Sequence, residues 1–140
     1  MTAGYGVQVI QRLLPDQWQV LRKLRLAGLS EVLGEDHDEY LAEAAFDELA
    51  WRSVIATDPQ FVASVHSVPV GVVSLLLDPE QEVEVEFLWV DPAHRGSGVA
   101  KGLMGAASDW VNRGGYRAGK TLTSNRRLGP GRAHRQTQSG

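Results

Sequence analysis

The stretch that most constrains this chain runs from Glu82 to Gly115. Glu82–Val90 reads E-V-E-V-E-F-L-W-V, and a polar, glycine-rich segment follows from Asp91 to Gly98. Val99, Leu103, Ala107, Trp110 and Val111 then recur at helical spacing until Gly114-Gly115 ends the pattern. The alternation in the first half of the strand puts Glu82, Glu84 and Glu86 on one face. Phe87–Val90 is apolar on both faces, as suits a strand entering the protein centre. Strand, glycine loop and helix together make a recurring phosphate holder. The first helical turn has N–H groups without intrahelical partners, the helix dipole favours an anion there, and glycine lets the anion come close. Arg95 adds a positive charge beside them. On the residues alone, this is a site for a diphosphate-type anion, with a helix starting within two residues of Gly98.

Two well-known phosphate loops do not fit. The P-loop needs G-x-x-x-x-G-K-[ST], which Gly96–Lys101 does not supply. The dinucleotide fingerprint needs G-x-G-x-x-G, but Lys101 stands where its third glycine belongs and Gly102 comes one residue late. Asp109 is also too near, and inside the helix, to be the expected ribose-binding acid.

A third pattern does fit. Leu88-Trp89-Val90-Asp91-Pro92-Ala93-His94-Arg95-Gly96-Ser97-Gly98-Val99-Ala100 closely resembles the central motif of the GNAT acetyltransferases. That family's signature is [QR]-x-x-G-x-[GA], and Arg95-Gly96-Ser97-Gly98-Val99-Ala100 satisfies it. The resemblance reaches from Val7 to about Asn125. It implies an α/β (α+β) fold with a mixed, mainly antiparallel sheet flanked by helices. It further implies acetyl-CoA as co-substrate and a primary amine, on a small molecule or a protein, as acceptor. Backbone N–H groups of Arg95, Gly96, Ser97, Gly98, Val99 and Ala100 would take the pyrophosphate. The backbone of Leu88 and Val90, on a strand bulged near Leu88–Val90, would bond the pantetheine arm. The N–H near Leu88 would polarise the thioester carbonyl, and Asn125 would contact the cofactor arm. The general base is sought among the acidic face, at Glu84 and Glu86, because three like charges raise the pKa of at least one. A solvent-facing row of carboxylates is the plainer reading of the same three residues.

Past Tyr116 the pattern departs from the family. No tyrosine follows, and the aromatic pair, Leu-Gly-Phe turn and final hairpin of the resemblance are replaced by Gln136–Gly140. The expectation from this is a C-terminally incomplete fold that binds acetyl-CoA and turns over weakly or not at all. His134 would be a substitute acid for the leaving thiolate. Lys120–Ser124 is expected as a short strand whose bare edge invites a homodimer. The alternative function is a catalytically impaired or non-enzymatic acyl-CoA-binding remnant.

The rest of the chain supports one domain. Val7–Leu13 reads as a strand. Pro15-Asp16 opens a helix carrying Trp18, Leu21, Leu24, Leu29 and Val32, which Gly28 and Gly34 weaken or end. A second helix carries Leu41, Ala45 and Leu49, and Phe61–His66 and Val70–Leu77 read as antiparallel strands joined over Ser67-Val68-Pro69. Residues 1–125 form the expected domain and 126–140 a poorly ordered basic tail. All seventeen acids lie at or before Asp109 with seven of the Lys and Arg residues, whereas the other seven lie beyond it with no acid. A nucleic-acid partner is not expected even so, because no helix-turn-helix or aromatic-basic platform accompanies the tail. The absence of cysteine excludes disulfides and thiolate metal sites, and Glu35–Glu39 reads as an acidic helix start rather than a metal site. With no signal peptide and no apolar run long enough to span a bilayer, a cytoplasmic location is expected.

Overall fold

A computed structural model describes residues 7–123. Its elements are β1 (Gln8–Arg12), a 3-10 turn (Pro15–Gln17), α1 (Trp18–Leu33), α2 (Asp38–Ala44), α3 (Glu48–Thr57), β2 (Gln60–Val65), β3 (Val68–Leu77) and β4 (Glu82–Val90). A second 3-10 turn (Pro92–His94), α4 (Val99–Gly114), β5 (Arg117–Ala118) and α5 (Lys120–Thr123) complete it. The five strands lie in sequence order in one sheet. All neighbours are antiparallel except β4 and β5, which run parallel.

The sheet separates two apolar layers. On one side, Val99, Leu103, Ala107 and Val111 of α4 pack against Ala63, Val73, Val83, Val85, Leu88 and Val90. On the other, Leu21, Leu24 and Leu29 of α1 and Trp51 and Ile55 of α3 cover Val62, Val72, Phe87 and Trp89. Of the four tryptophans expected in the core, Trp51 and Trp89 are buried and Trp18 and Trp110 half-buried.

Several sequence expectations need correction. α1 runs straight through Gly28 and stops at Gly34, where φ is 92°. Gly28 is there for proximity: a Cβ would lie 2.7 Å from the Phe87 ring and 2.9 Å from Trp89. We therefore expect Gly28→Val to destabilise the fold by about 1–3 kcal/mol through overpacking, measured as a lower Tm. Unchanged Tm would mean α1 does not need this approach to β4.

The expected second helix is two helices. The chain breaks at Asp47, whose carboxylate caps α3 by accepting from the Ala50 N–H at 2.9 Å. A short acidic side chain serves a helix start better than a helix middle. His66, expected on a strand, sits instead with Ser67 in the β2–β3 turn, both with positive φ. Lys120–Thr123 is a helical turn rather than a strand, and the short strand beside β4 is Arg117–Ala118. The cause is Glu84, which accepts from both the Thr121 N–H (2.9 Å) and hydroxyl (2.5 Å) and turns the chain away from the sheet. Asn125, His134 and the basic tail lie outside the described residues.

Candidate active site

The strand, loop and helix singled out in the sequence come together at the outer edge of β4. β3 and β4 change register once, between Ser74↔Phe87 and Leu75↔Val85, so β4 carries one residue more than β3 there, at Glu86. The bulge is therefore at Glu86, not at Leu88–Val90 as the resemblance suggested. Its effect on side chains is direct. Val83 and Val85 pack on the α4 side, Phe87 and Trp89 on the α1 side, and Leu88 and Val90 again on the α4 side.

The bulge also reverses which main-chain groups face outward. Before it, Asp78 N–H donates to Glu82 C=O across the β3–β4 hairpin, while Val83 C=O accepts from Gly119 N–H and Val85 N–H donates to the Thr121 hydroxyl. Odd-numbered residues thus face away from β3. After it, Asp91 N–H donates to Val70 C=O. Since hydrogen-bonded pairs alternate along an antiparallel ladder, Phe87 and Trp89 now bond β3, and Leu88 and Val90 direct their N–H and C=O outward. The Val90 carbonyl confirms this phase by accepting from Arg95 Nε at 2.9 Å. On the side away from β3, no described strand pairs with β4 beyond Val83.

The loop ends this open edge at the start of α4. Gly96 (φ 83°) and Gly98 (φ 89°) are left-handed, and a Cβ on either would meet nothing within 4 Å. The first backbone bond reaching back to the N-cap is Gly102 N–H to Gly98 C=O at 2.9 Å, and Gly98 supplies no side-chain cap. The N–H groups of Val99, Ala100 and Lys101 thus precede the helical ladder and face a cradle open to a ligand. Such a cradle suits a diphosphate. The Ser97 hydroxyl turns back to the His94 carbonyl (2.5 Å), and His94 Nδ1 is buried with no described partner.

The Arg95 side chain has a different task from the one expected of its charge. Its two terminal nitrogens clasp Glu31 of α1 at 2.6 and 3.0 Å, and Glu31 also accepts from the Trp89 indole at 2.7 Å. The loop is thereby latched to α1 and to the end of β4. The Arg95 hydrogen bonds, and then that of Trp89, hold the Glu31 carboxyl below its ordinary 4.5 against a slight opposing effect of burial. Because the folded pKa is the lower one, the latch contributes fully above the ordinary carboxylate pKa and is lost as pH falls through the folded value. The Trp89 indole N–H resonance should therefore shift with acidification below pH 4.5, and should stay flat in Glu31→Gln. A flat profile in the unsubstituted chain would remove the latch.

The two candidate bases have separate surroundings. Glu84 is half-buried against α5 and takes both Thr121 donors. Glu86 is 9% exposed and accepts from Arg25 of α1 at 2.9 and 3.3 Å. Arg25 also makes a two-pronged pair with Glu43 of α2, at 2.8 and 2.7 Å. Burial works against the Arg25 charge, but the bonds and charges of Glu43 and Glu86 outweigh it and raise its pKa above the ordinary guanidinium value. Arg25, Glu31 and Thr121 were missed by sequence reasoning. Only Arg25 carried a signal, as a charged residue four after Leu21 and four before Leu29 on the apolar face.

A sequence model of the acetyltransferase (GNAT) family matches residues 18–128. Similar solved structures include an aminoglycoside acetyltransferase from an uncultured soil metagenomic sample, with TM-score 0.66 and 21% identity over 80% of this chain and 76% of that one. A ribosomal-protein-alanine N-acetyltransferase from Brucella melitensis biovar Abortus 2308 gives 0.62 and 20% over 80% and 77%. The PaiA N-acetyltransferase from Thermoplasma acidophilum, solved with coenzyme A, gives 0.65 and 14% over 79% and 75%. Comparison with curated protein sequences finds no match.

Proposed function

The chain belongs to the acetyltransferase (GNAT) family, and from that premise we propose that it transfers an acetyl group from acetyl-CoA to a primary amine. The observation that carries this reading is the outward-facing main chain of Leu88 and Val90 leading into the glycine cradle at the start of α4. An extended arm can pair with that edge while its diphosphate meets the N–H groups of Gly96 to Ala100. The described chain fits acetyl-CoA in this respect, and the thioester supplies the activated acetyl group.

The protein's own contributions follow from placement. The Leu88 N–H is the donor for the negative charge that develops on the thioester oxygen as the amine attacks. The attacking amine must first lose its proton. Glu84 and Glu86 are the proposed acceptors of that proton, directly or through water. Asn125 is proposed to contact the cofactor arm. The acceptor is a small-molecule or protein amine, and the aminoglycoside and ribosomal-protein enzymes named above illustrate the two classes.

A second reading is acyl-CoA binding without turnover. It is favoured by the internal bonds of both candidate carboxylates, Glu86 with Arg25 and Glu84 with Thr121. Calorimetry with CoA, beside thiol release from acetyl-CoA over a panel of small and peptide amines, separates the two. Binding with amine-dependent thiol release supports transfer, and binding without it supports the second reading. Absence of binding removes both.

A further inference from the structure

We infer that Arg25 of α1 is the positioning residue that holds the β4 bulge in register and so keeps Leu88 and Val90 facing the cofactor edge. This rests on the proposed function. The register shift involves three residues: Ser74 on β3, and Glu86 and Phe87 on β4. One guanidinium touches all three. Arg25 Nη1 donates to Ser74 Oγ at 3.1 Å and to Glu86 Oε1 at 2.9 Å, and Nη2 donates to Glu86 Oε2 at 3.3 Å. The guanidinium carbon lies 4.4 Å from the centre of the Phe87 ring. The remaining donors go to Glu43, which fixes the fork to α2. Arg25 is 4% exposed, so these bonds are made in a site where water does not compete.

What the fork holds is a choice between two ladders. Without the extra residue, the pairing Leu75↔Val85 would continue as Val73↔Phe87 and Val72↔Leu88. The hydrogen-bonding phase set at Asp78 and Glu82 would then turn the Leu88 and Val90 main chain inward to β3. A one-residue slip leaves the strand intact and removes the binding edge. The planar fork reaches the single residue on one strand and the pair on the other at once, which a lysine ammonium cannot do.

The test uses the full chain and three variants. Glu86→Gln breaks the contact at the bulge, Glu43→Gln breaks the contact at α2, and Arg25→Lys keeps the charge without the fork. CoA affinity is read by calorimetry and register by NMR, through the Val73–Leu88 α-proton contact of the native ladder. Glu86→Gln should weaken CoA binding about tenfold or more, with a Val73–Phe87 contact appearing in place of Val73–Leu88. Glu43→Gln, which removes one partner of a buried pair but leaves the Arg25 contact at the bulge, should lower Tm at least as much yet change CoA affinity less than about twofold. Arg25→Lys, where it folds, should behave as Glu86→Gln, and where it does not, Glu86→Gln decides. Native register and affinity in Glu86→Gln would overturn the inference. So would weakened binding with the register intact, or an equal loss of affinity in Glu43→Gln. If the unsubstituted chain does not bind CoA, the proposed function fails, while the register readout still decides the role of Arg25.

Discussion

Gly98→Asp should abolish CoA binding while leaving the protein folded. Gly98 caps α4 with φ 89° and faces open space. Aspartate is among the non-glycine residues that tolerate this conformation, and its charge favours a helix start by about 0.3–1 kcal/mol. Thermal stability should therefore fall by no more than the strain of the left-handed backbone, about 1–2 kcal/mol, part of which the helix start offsets. Binding should suffer because the carboxylate occupies the place proposed for the diphosphate. Two unit charges about 4 Å apart at an effective dielectric near 20 repel by about 4 kcal/mol, which corresponds to a loss of several hundredfold in affinity. Gly98→Asn separates the causes, since it brings similar bulk and the same backbone strain without the charge. Its loss should be smaller by at least tenfold. A folded Gly98→Asp variant with native CoA affinity would place the diphosphate elsewhere.

The parts of this site that could be read in the sequence are those written in consecutive residues. The glycines of the loop, the apolar face of α4 and the strand before them are local patterns, and α4 begins at Val99, one residue from Gly98. The bulge position came from the resemblance alone, and the residues could not correct it because E-V-E-V-E continues its alternation through Glu86, where the ladder breaks. Its trace is the change to F-L-W-V, where Val85 and Leu88, three apart, share one face. Arg25 and Glu31 were out of reach for a different reason. Their partners lie 61 and 64 residues away, at Glu86 and Arg95. Nothing local distinguishes the buried Arg25 from exposed cations of the same helix except its phase. Gly28 misled because a glycine inside a helix weakens it intrinsically, and only the packed β4 rings explain why it stays. Glu84 redirected the segment at Thr121 in the same non-local way.

Replacing the Leu88 peptide N–H by an ester oxygen should lower the rate of acetyl transfer without removing CoA binding. Leu88 is the central case because the bulge turns its main chain outward while its side chain stays in the α4 core, 5% exposed. Side-chain substitution would thus disturb the core and leave the donor in place. The ester does the reverse. It keeps the leucine side chain and replaces one N–H by oxygen; because that N–H points away from β3, no sheet donor is lost, and the sheet feels only the weaker acceptor at the Phe87 carbonyl. Removing one oxyanion donor typically costs about 10²–10³ in kcat. CoA keeps the N–H groups of the loop and the outward N–H of Val90, whose carbonyl is taken by Arg95, so its affinity should fall only severalfold, by about one hydrogen bond. The control is an ester at Trp89, whose N–H bonds β3; it should reduce Tm more than the Leu88 ester does. The measurement is thiol release with the best amine of the panel, beside CoA calorimetry. A Leu88 ester with unchanged kcat would assign the oxyanion donor to another group. A large loss of CoA affinity at unchanged kcat would make this N–H a contact for the cofactor arm alone.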